Sequence, residues 1–265
     1  MSTIANLGTR PTIWRFPDLM MPKEHGSWSL ALEPVALGLI IAPSIGGAWL
    51  AVAVIAGFFA RRPLRIALQE HDLTRRDDAV TALALCATVA LVAFSLALVD
   101  SGTRWTIWLV PTFLAGAIFL FFDLNNHGRA EAAEIAGAAA FGSLPAAFVA
   151  IHDGSASIAI AAALVMLARV LPAVVGVRAI LRARKTGTWC AGRALLVSAV
   201  AVAALYALTV LHLVASLTGS LLSLLIVPLV VALVLRCTWK ARMVGMAEAL
   251  LGIAYVLVAG FACRL

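Results

Sequence analysis

Nine apolar runs divide the chain, at 27–43, 46–60, 79–99, 105–122, 132–151, 156–176, 190–214, 217–235 and 244–262. Most approach the length of about 20 residues that a helix needs to cross a bilayer, and the second is the shortest. No other feature restricts the fold so strongly. In hydrocarbon each backbone N–H and C=O must be satisfied within its own segment, so single runs of this kind are helices. Composition agrees: 63% of the 265 residues are apolar and only 12% are charged, whereas an ordinary soluble domain carries about 25% charged residues. The expected fold is all-α, a polytopic membrane helix bundle of nine transmembrane helices. Residues 1–21 are expected to form a poorly ordered leader and 22–265 a single transmembrane domain. Residues 1–21 lack the apolar core of a cleaved signal peptide, so the first run is expected to stay in the mature protein, and Met20 and Met21 are alternative starts.

Orientation follows from the basic residues. With nine alternating spans, 18 of the 20 Lys and Arg fall on one side and only Arg104 and Arg264 on the other. This asymmetry places the N-terminus in the cytoplasm and the C-terminus outside, as expected of a multi-pass protein of the inner (plasma) membrane. The net charge of +7 then calls for no nucleic acid, because topology and anionic headgroups account for it. The four cysteines, Cys86, Cys190, Cys237 and Cys263, show no C-x-x-C spacing and predict neither a disulfide framework nor a zinc site.

Several ionisable residues interrupt the runs or crowd their inner ends. Glu33 lies about halfway into the first run, where a carboxyl is expensive and normally has a partner. Arg169 lies inside the sixth, with Pro172 three residues on; it either snorkels to the surface or turns into a cavity, and the proline favours the cavity. Arg61 and Arg65, four residues apart, share a face if the second helix continues past Pro63, the alternative being a solvated, salt-bridged loop. Arg178 and Arg182 share a face in the same way, Arg184 and Lys185 follow, and Gly187 is placed to end that helix. This second cluster suits either lipid headgroups or a substrate. Glu131 is explained by the helix dipole, while Glu134 and Glu248 lie about a turn inside their helices and are expected to face the bundle. Asp100 and Arg104 flank a short outer turn that an ion pair would close.

The segment Met21-Pro22-Lys23-Glu24-His25-Gly26-Ser27-Trp28 leads into the first run. Pro22 suits a first helical turn and Trp28 the headgroup level, so the segment reads as an interfacial anchor or as the mouth of a cavity. On the second reading Lys23, Arg61, Arg65, Arg169, Arg178 and Arg182 supply cations, and Glu24, Glu134 and Glu248 carboxyls. The excess positive charge suits an amphiphile whose anionic head meets arginine forks while its tail lies between helices.

Pro22 to Trp28, the Arg61-Arg62-Pro63-Leu64 stretch, the polar segment from Asn125 to Glu131, the arginine-rich stretch after the sixth run and the basic loop before Glu248 together resemble the YwiC-like membrane proteins. The likeness covers most of residues 21–260 and is sharpest at PKEHG-x-W. It implies a membrane protein and no particular reaction. Glu33 departs from the family pattern, in which an apolar residue is more usual. A more distant likeness, in topology, is to the UbiA-type intramembrane prenyltransferases, with nine helices, an inner N-terminus and long inner loops after helices two and six. In that superfamily aspartate-rich motifs in those loops hold magnesium on a prenyl diphosphate. Asp72, Asp77 and Asp78 lack that spacing, and the loop after the sixth run offers only Arg, Lys and Thr, so the likeness implies a related ligand more than the same reaction.

Three functions fit these residues. The first is a UbiA-like lipid or prenyl transferase in which Lys23, Arg61, Arg65, Arg169, Arg178, Arg182, Glu134 and Glu248 hold the substrate and Glu24 or His25 carries the proton. The second is a transporter or binding protein that uses the same site without chemistry. The third is an accessory subunit of a respiratory or cofactor-assembly complex, with His25, His71 and His127 near metal or haem, although no H-x-x-x-H or C-x-x-C-H pattern is present. The expected partner is a membrane lipid or isoprenoid-like amphiphile. No cofactor, metal ligand or oligomeric state is assigned.

Overall fold

In the computed structural model the described residues are Leu19, 26–70, 72–236 and 239–263. They form helices and turns without a strand. Helix α1 spans Gly26–Ile41 and contains Pro34. A tight turn leads to α2, Ile45–Gln69, whose first turn is capped by the Ser44 hydroxyl accepting from the Gly47 N–H at 3.0 Å. Asp72 caps α3, Leu73–Ser101, which ends at Gly102 with φ +69°. A 3-10 turn, Arg104–Leu109, runs into α4, Val110–Leu124. The next span is in two pieces, α5 at Glu131–Gly142 and α6 at Pro145–Ile151, because Pro145 cannot donate within a continuous helix. Helix α7, Ala156–Thr186, is the longest at 31 residues. Helix α8 is Gly192–Val210, α9 and α10 are Ser216–Leu224 and Val227–Val234, and α11 is Ala241–Ala262.

Among the described residues eight helical segments are long and apolar enough to cross a membrane, and α1 is a shorter apolar helix ahead of them. These nine match the nine runs in order. The protein is an all-helical membrane bundle. Several boundaries differ from the hydropathy reading, among them the C-terminal ends of α2 and α7. Helix α2 continues nine residues past the end of its apolar run, to Gln69, which puts Arg61 and Arg65 on helix and not in a solvated loop. Helix α7 carries Arg178, Arg182, Arg184 and Lys185 before it stops at Gly187, whose φ of +71° and N–H bond to the Ala183 carbonyl are those of a glycine terminator. The turn after α3 is also closed differently: Asp100 accepts from the Ser101 hydroxyl at 2.9 Å, and Arg104 makes no ion pair among the described residues.

The α5–α6 span is the most buried, and α1, α7 and α11 surround it or each other. Small residues set these approaches, since lipid supplies no hydrophobic drive to associate and close packing must do so. Gly38 of α1 faces the Phe148 ring of α6, Gly142 of α5 faces Leu167 and Val170 of α7, and Gly260 of α11 faces Ile40 of α1. Helices α2 and α3 pair along their length. Helices α3 and α4 carry the least buried spans, and the exposed Leu85, Leu91, Phe113, Leu114 and Phe121 give them an apolar outer surface.

Candidate functional site

Charged residues of the described helices gather into three separate clusters. The first is built on Asp123, the penultimate residue of α4 and only 2% exposed. Arg61 donates to both its oxygens, Nε to Oδ2 at 3.0 Å and Nη2 to Oδ1 at 3.1 Å, and its guanidinium lies 4.4 Å from the centre of the Phe119 ring. Arg65, one turn further along α2, reaches Asp123 Oδ1 at 3.6 Å. The Gln69 amide donates to the Leu124 carbonyl at 2.6 Å and extends the same seam between α2 and α4. Gly128 leaves room for the carboxylate, because any Cβ there would strike Asp123. A bidentate guanidinium–carboxylate pair with a second arginine behind it fixes the C-terminal end of α2 on α4. Arg61 and Arg65 are thus both engaged by one carboxylate.

The second cluster lies where the end of α7 meets the starts of α5 and α8. Arg178 Nη1 donates to Glu134 Oε2 at 2.6 Å and to the Arg129 carbonyl at 2.9 Å. Arg193 pairs with Glu131 at 3.1 Å. Glu131, Arg178, Arg182 and Arg193 line a cleft of about 70 Å³ together with Thr188 and Cys190. Arg182 is exposed and makes no ion pair among the described residues. Three guanidiniums around two carboxylates leave this cleft with an excess of positive charge. On α8, Leu196 and Val200 follow Arg193 at helical spacing and are 65% and 60% exposed. A strip of apolar surface therefore starts at the cleft and runs along the span.

The third cluster is inside the bundle. Arg169 of α7, 6% exposed, is clamped to α11 by Nη1 to Glu248 Oε2 at 2.7 Å and Nη2 to the Glu248 carbonyl at 2.6 Å. Glu33 of α1, 8% exposed, faces the other edge of the same guanidinium, its Oε2 3.7 Å from Nε. The Ser29 hydroxyl donates to Glu33 Oε1. Arg169 Nε has no hydrogen-bond partner among the described residues. Gly252 of α11 lies against the Glu33 carboxyl, in a place no side chain can share with it. Glu33 has the partner expected of it, and Arg169 turns inward as expected, into a packed ionic cluster in place of an open cavity.

Of the residues singled out in the sequence, Arg169 and Glu248 meet each other, Arg178 meets Glu134 with Arg182 beside it, and Arg61 and Arg65 meet at Asp123. Lys23, Glu24, His25 and His71 lie outside the described residues. Asp123, the anchor of the first cluster, was not among the expected site residues. The signal for it is present: two arginines four residues apart on one helical face, at the level of one membrane end, require a carboxylate at that level. Among the described residues no group of three His, Cys, Asp or Glu side chains stands together in a way that would hold a metal ion.

No curated protein and no solved structure matches the chain. The arginine-rich end of α7 and Glu248 fall beyond the family match, whereas Glu33, the Asp123 cluster and both glutamates of α5 fall within it. From the segment ahead of α1 to the last turn of α6, residues 21–150, the chain matches the model of the YwiC-like protein family.

Proposed function

We propose that this membrane protein binds the anionic head of an amphiphile in the cleft between the ends of α5, α7 and α8. The observation that carries the reading is Arg182, without an ion pair among the described residues, beside Arg178 and Arg193 at the start of an exposed apolar strip. A phosphate head fits the fork of Arg182 together with the donors that Arg178 and Arg193 keep beyond their bonds to Glu134 and Glu131, and a hydrocarbon tail fits Leu196 and Val200 below them. Counting basic residues supports a cytoplasmic position for this cleft in the inner membrane. The Asp123 and Arg169 clusters are structural in this reading, since every arginine in them faces a carboxylate, whereas the cleft holds Arg182 without one among the described residues.

The enzymatic form of the proposal is a UbiA-like transfer of a lipid or prenyl group, with Glu24 or His25 moving the proton. Transport or binding without chemistry uses the same cleft. Binding is tested with a fluorescent phosphomonoester lipid titrated into the purified protein, with phosphatidylcholine of the same tail as reference. Arg182→Gln and Arg193→Gln are each expected to weaken the phosphomonoester about tenfold or more, at about 1.5–3 kcal/mol per charge-assisted hydrogen bond. Arg104→Gln, on the other face, should change nothing. Small, equal losses in all three variants would reduce the cleft to a general headgroup surface. Turnover of the same lipid by wild type and its loss in Glu24→Gln would separate the enzyme from the carrier.

A further inference from the structure

We infer that Glu33, Arg169 and Glu248 form a proton-binding site inside the membrane span, in which two carboxyls compete for one guanidinium and hold one proton between them. The inference is independent of the amphiphile cleft and rests on charge, burial and geometry. Two carboxylates and one guanidinium sum to a net negative charge when all are ionised. Leaving an unmatched charge among buried groups is far more costly than exposing it to water. Adding one proton to a carboxylate oxygen makes the cluster neutral and gives it a further donor.

Apart from the Ser29 hydroxyl, which donates to Glu33 Oε1 but carries no charge, the described residues offer no other compensation. Among the described residues, the charged groups close enough to act on Glu33 are Arg169 and Glu248. On α11 the Tyr255 hydroxyl is committed to the Val165 carbonyl at 2.8 Å, and Cys263 lies at the far end of that helix. On α5 Glu131 and Glu134 are paired with Arg193 and Arg178, and on α2 Arg61 and Arg65 are held by Asp123. Arg62 of α2 makes its own interaction, and α6 has no charged residue.

The two carboxyls are not equivalent. Glu248 takes the two terminal nitrogens of Arg169 by side chain and main chain, whereas Glu33 faces Nε without a hydrogen bond to it. This geometry assigns the proton to Glu33, the carboxyl with the weaker hold on the cation. The proton comes from water and forms an O–H bond at a Glu33 oxygen; no other bond changes. When it leaves, the negative Glu33 attracts the free Nε–H, and the 3.7 Å gap closes toward the about 2.7–2.9 Å of a charge-assisted hydrogen bond. Because Glu33 is on α1 and Arg169 on α7, protonation sets the spacing of these two helices. A membrane carrier or enzyme that exchanges a proton during its cycle has use for such a site.

The test is infrared spectroscopy of the purified full chain in lipid, with glutamate carboxyls isotopically labelled. At neutral pH the wild type is expected to show one protonated glutamic acid band that moves with the label and disappears reversibly as pH is raised. Glu33→Gln should remove it, and Glu131→Gln should leave it in place. Complete ionisation of the glutamates at neutral pH overturns the inference, as does a band that survives both Glu33→Gln and Glu248→Gln. If those variants fail to accumulate, the labelled wild type still decides: a titrating glutamic acid band supports the site, and its absence rejects it.

Discussion

Arg169 carries more of the structure than any other single charged side chain, because it joins α7 to α11 directly and faces α1 through Glu33. Removing one partner of a buried ion pair leaves the other uncompensated, at a cost of about 3–5 kcal/mol. Arg169→Ala is therefore expected to lower the unfolding midpoint in detergent sharply. Combining Arg169→Leu with Glu33→Gln and Glu248→Gln should recover much of that loss, because no bare charge then remains. If the triple variant is no more stable than Arg169→Ala alone, charge is not what holds the three helices there. The sequence exposed part of this site. Glu33 and Arg169 stand out because each interrupts an apolar run, and a charge in hydrocarbon implies a partner. Which residue serves as partner depends on how α1, α7 and α11 are rotated about their axes, and local spacing carries no such information. Asp123 escaped notice for a different reason: at the edge of a polar loop a carboxylate looks solvated, and only the approach of α2 buries it.

At the scale of the element, hydropathy locates helices well and their ends poorly. The apolar run of α2 stops near residue 60, yet the helix persists to Gln69 because Asp123 and the Leu124 carbonyl receive the polar side chains that a loop would have given to water. In the span that follows α8, the apolar run is unbroken while the helix is not: Pro228 divides α9 from α10. Glycines report packing that hydropathy cannot. Gly38→Ala would drive a methyl group into the Phe148 ring and is expected to cost about 1–3 kcal/mol, as overpacking in a filled core does. Gly57, with nothing near its missing Cβ, is the contrasting case. Gly57→Ala should be neutral or stabilising by up to about 1 kcal/mol through helix propensity. Thermal or denaturant midpoints of the two variants compare the effects directly, and equal midpoints would mean that α1 and α6 can separate without loss.

For the molecule as a whole, the positive-inside count and nine alternating helices predict that a reporter fused after Leu265 is active only outside the cytoplasm. Activity on the inner side would reverse the placement of all three ionic clusters. The segment ahead of α1 is tested in the same cells. Lys23→Gln, Glu24→Gln and His25→Asn are expected to lose complementation at normal abundance, while Arg10→Gln keeps it; wild-type behaviour in all of them would leave that segment as an anchor. Helix α7 adds a property that belongs to protein and bilayer together. Its 31 residues make a rod of about 46 Å, against a hydrocarbon layer of about 30 Å. The surplus carries Arg178, Arg182, Arg184 and Lys185 in succession, so the height of the headgroup plane along this rod selects which of them meet lipid phosphate. In bilayers of longer acyl chains that plane rises along the rod toward Lys185, and in shorter ones it falls toward Arg178. The thickness of the host membrane thus becomes a setting for the cleft, and a chain moved unchanged between membranes of different thickness would differ in the amphiphile it holds.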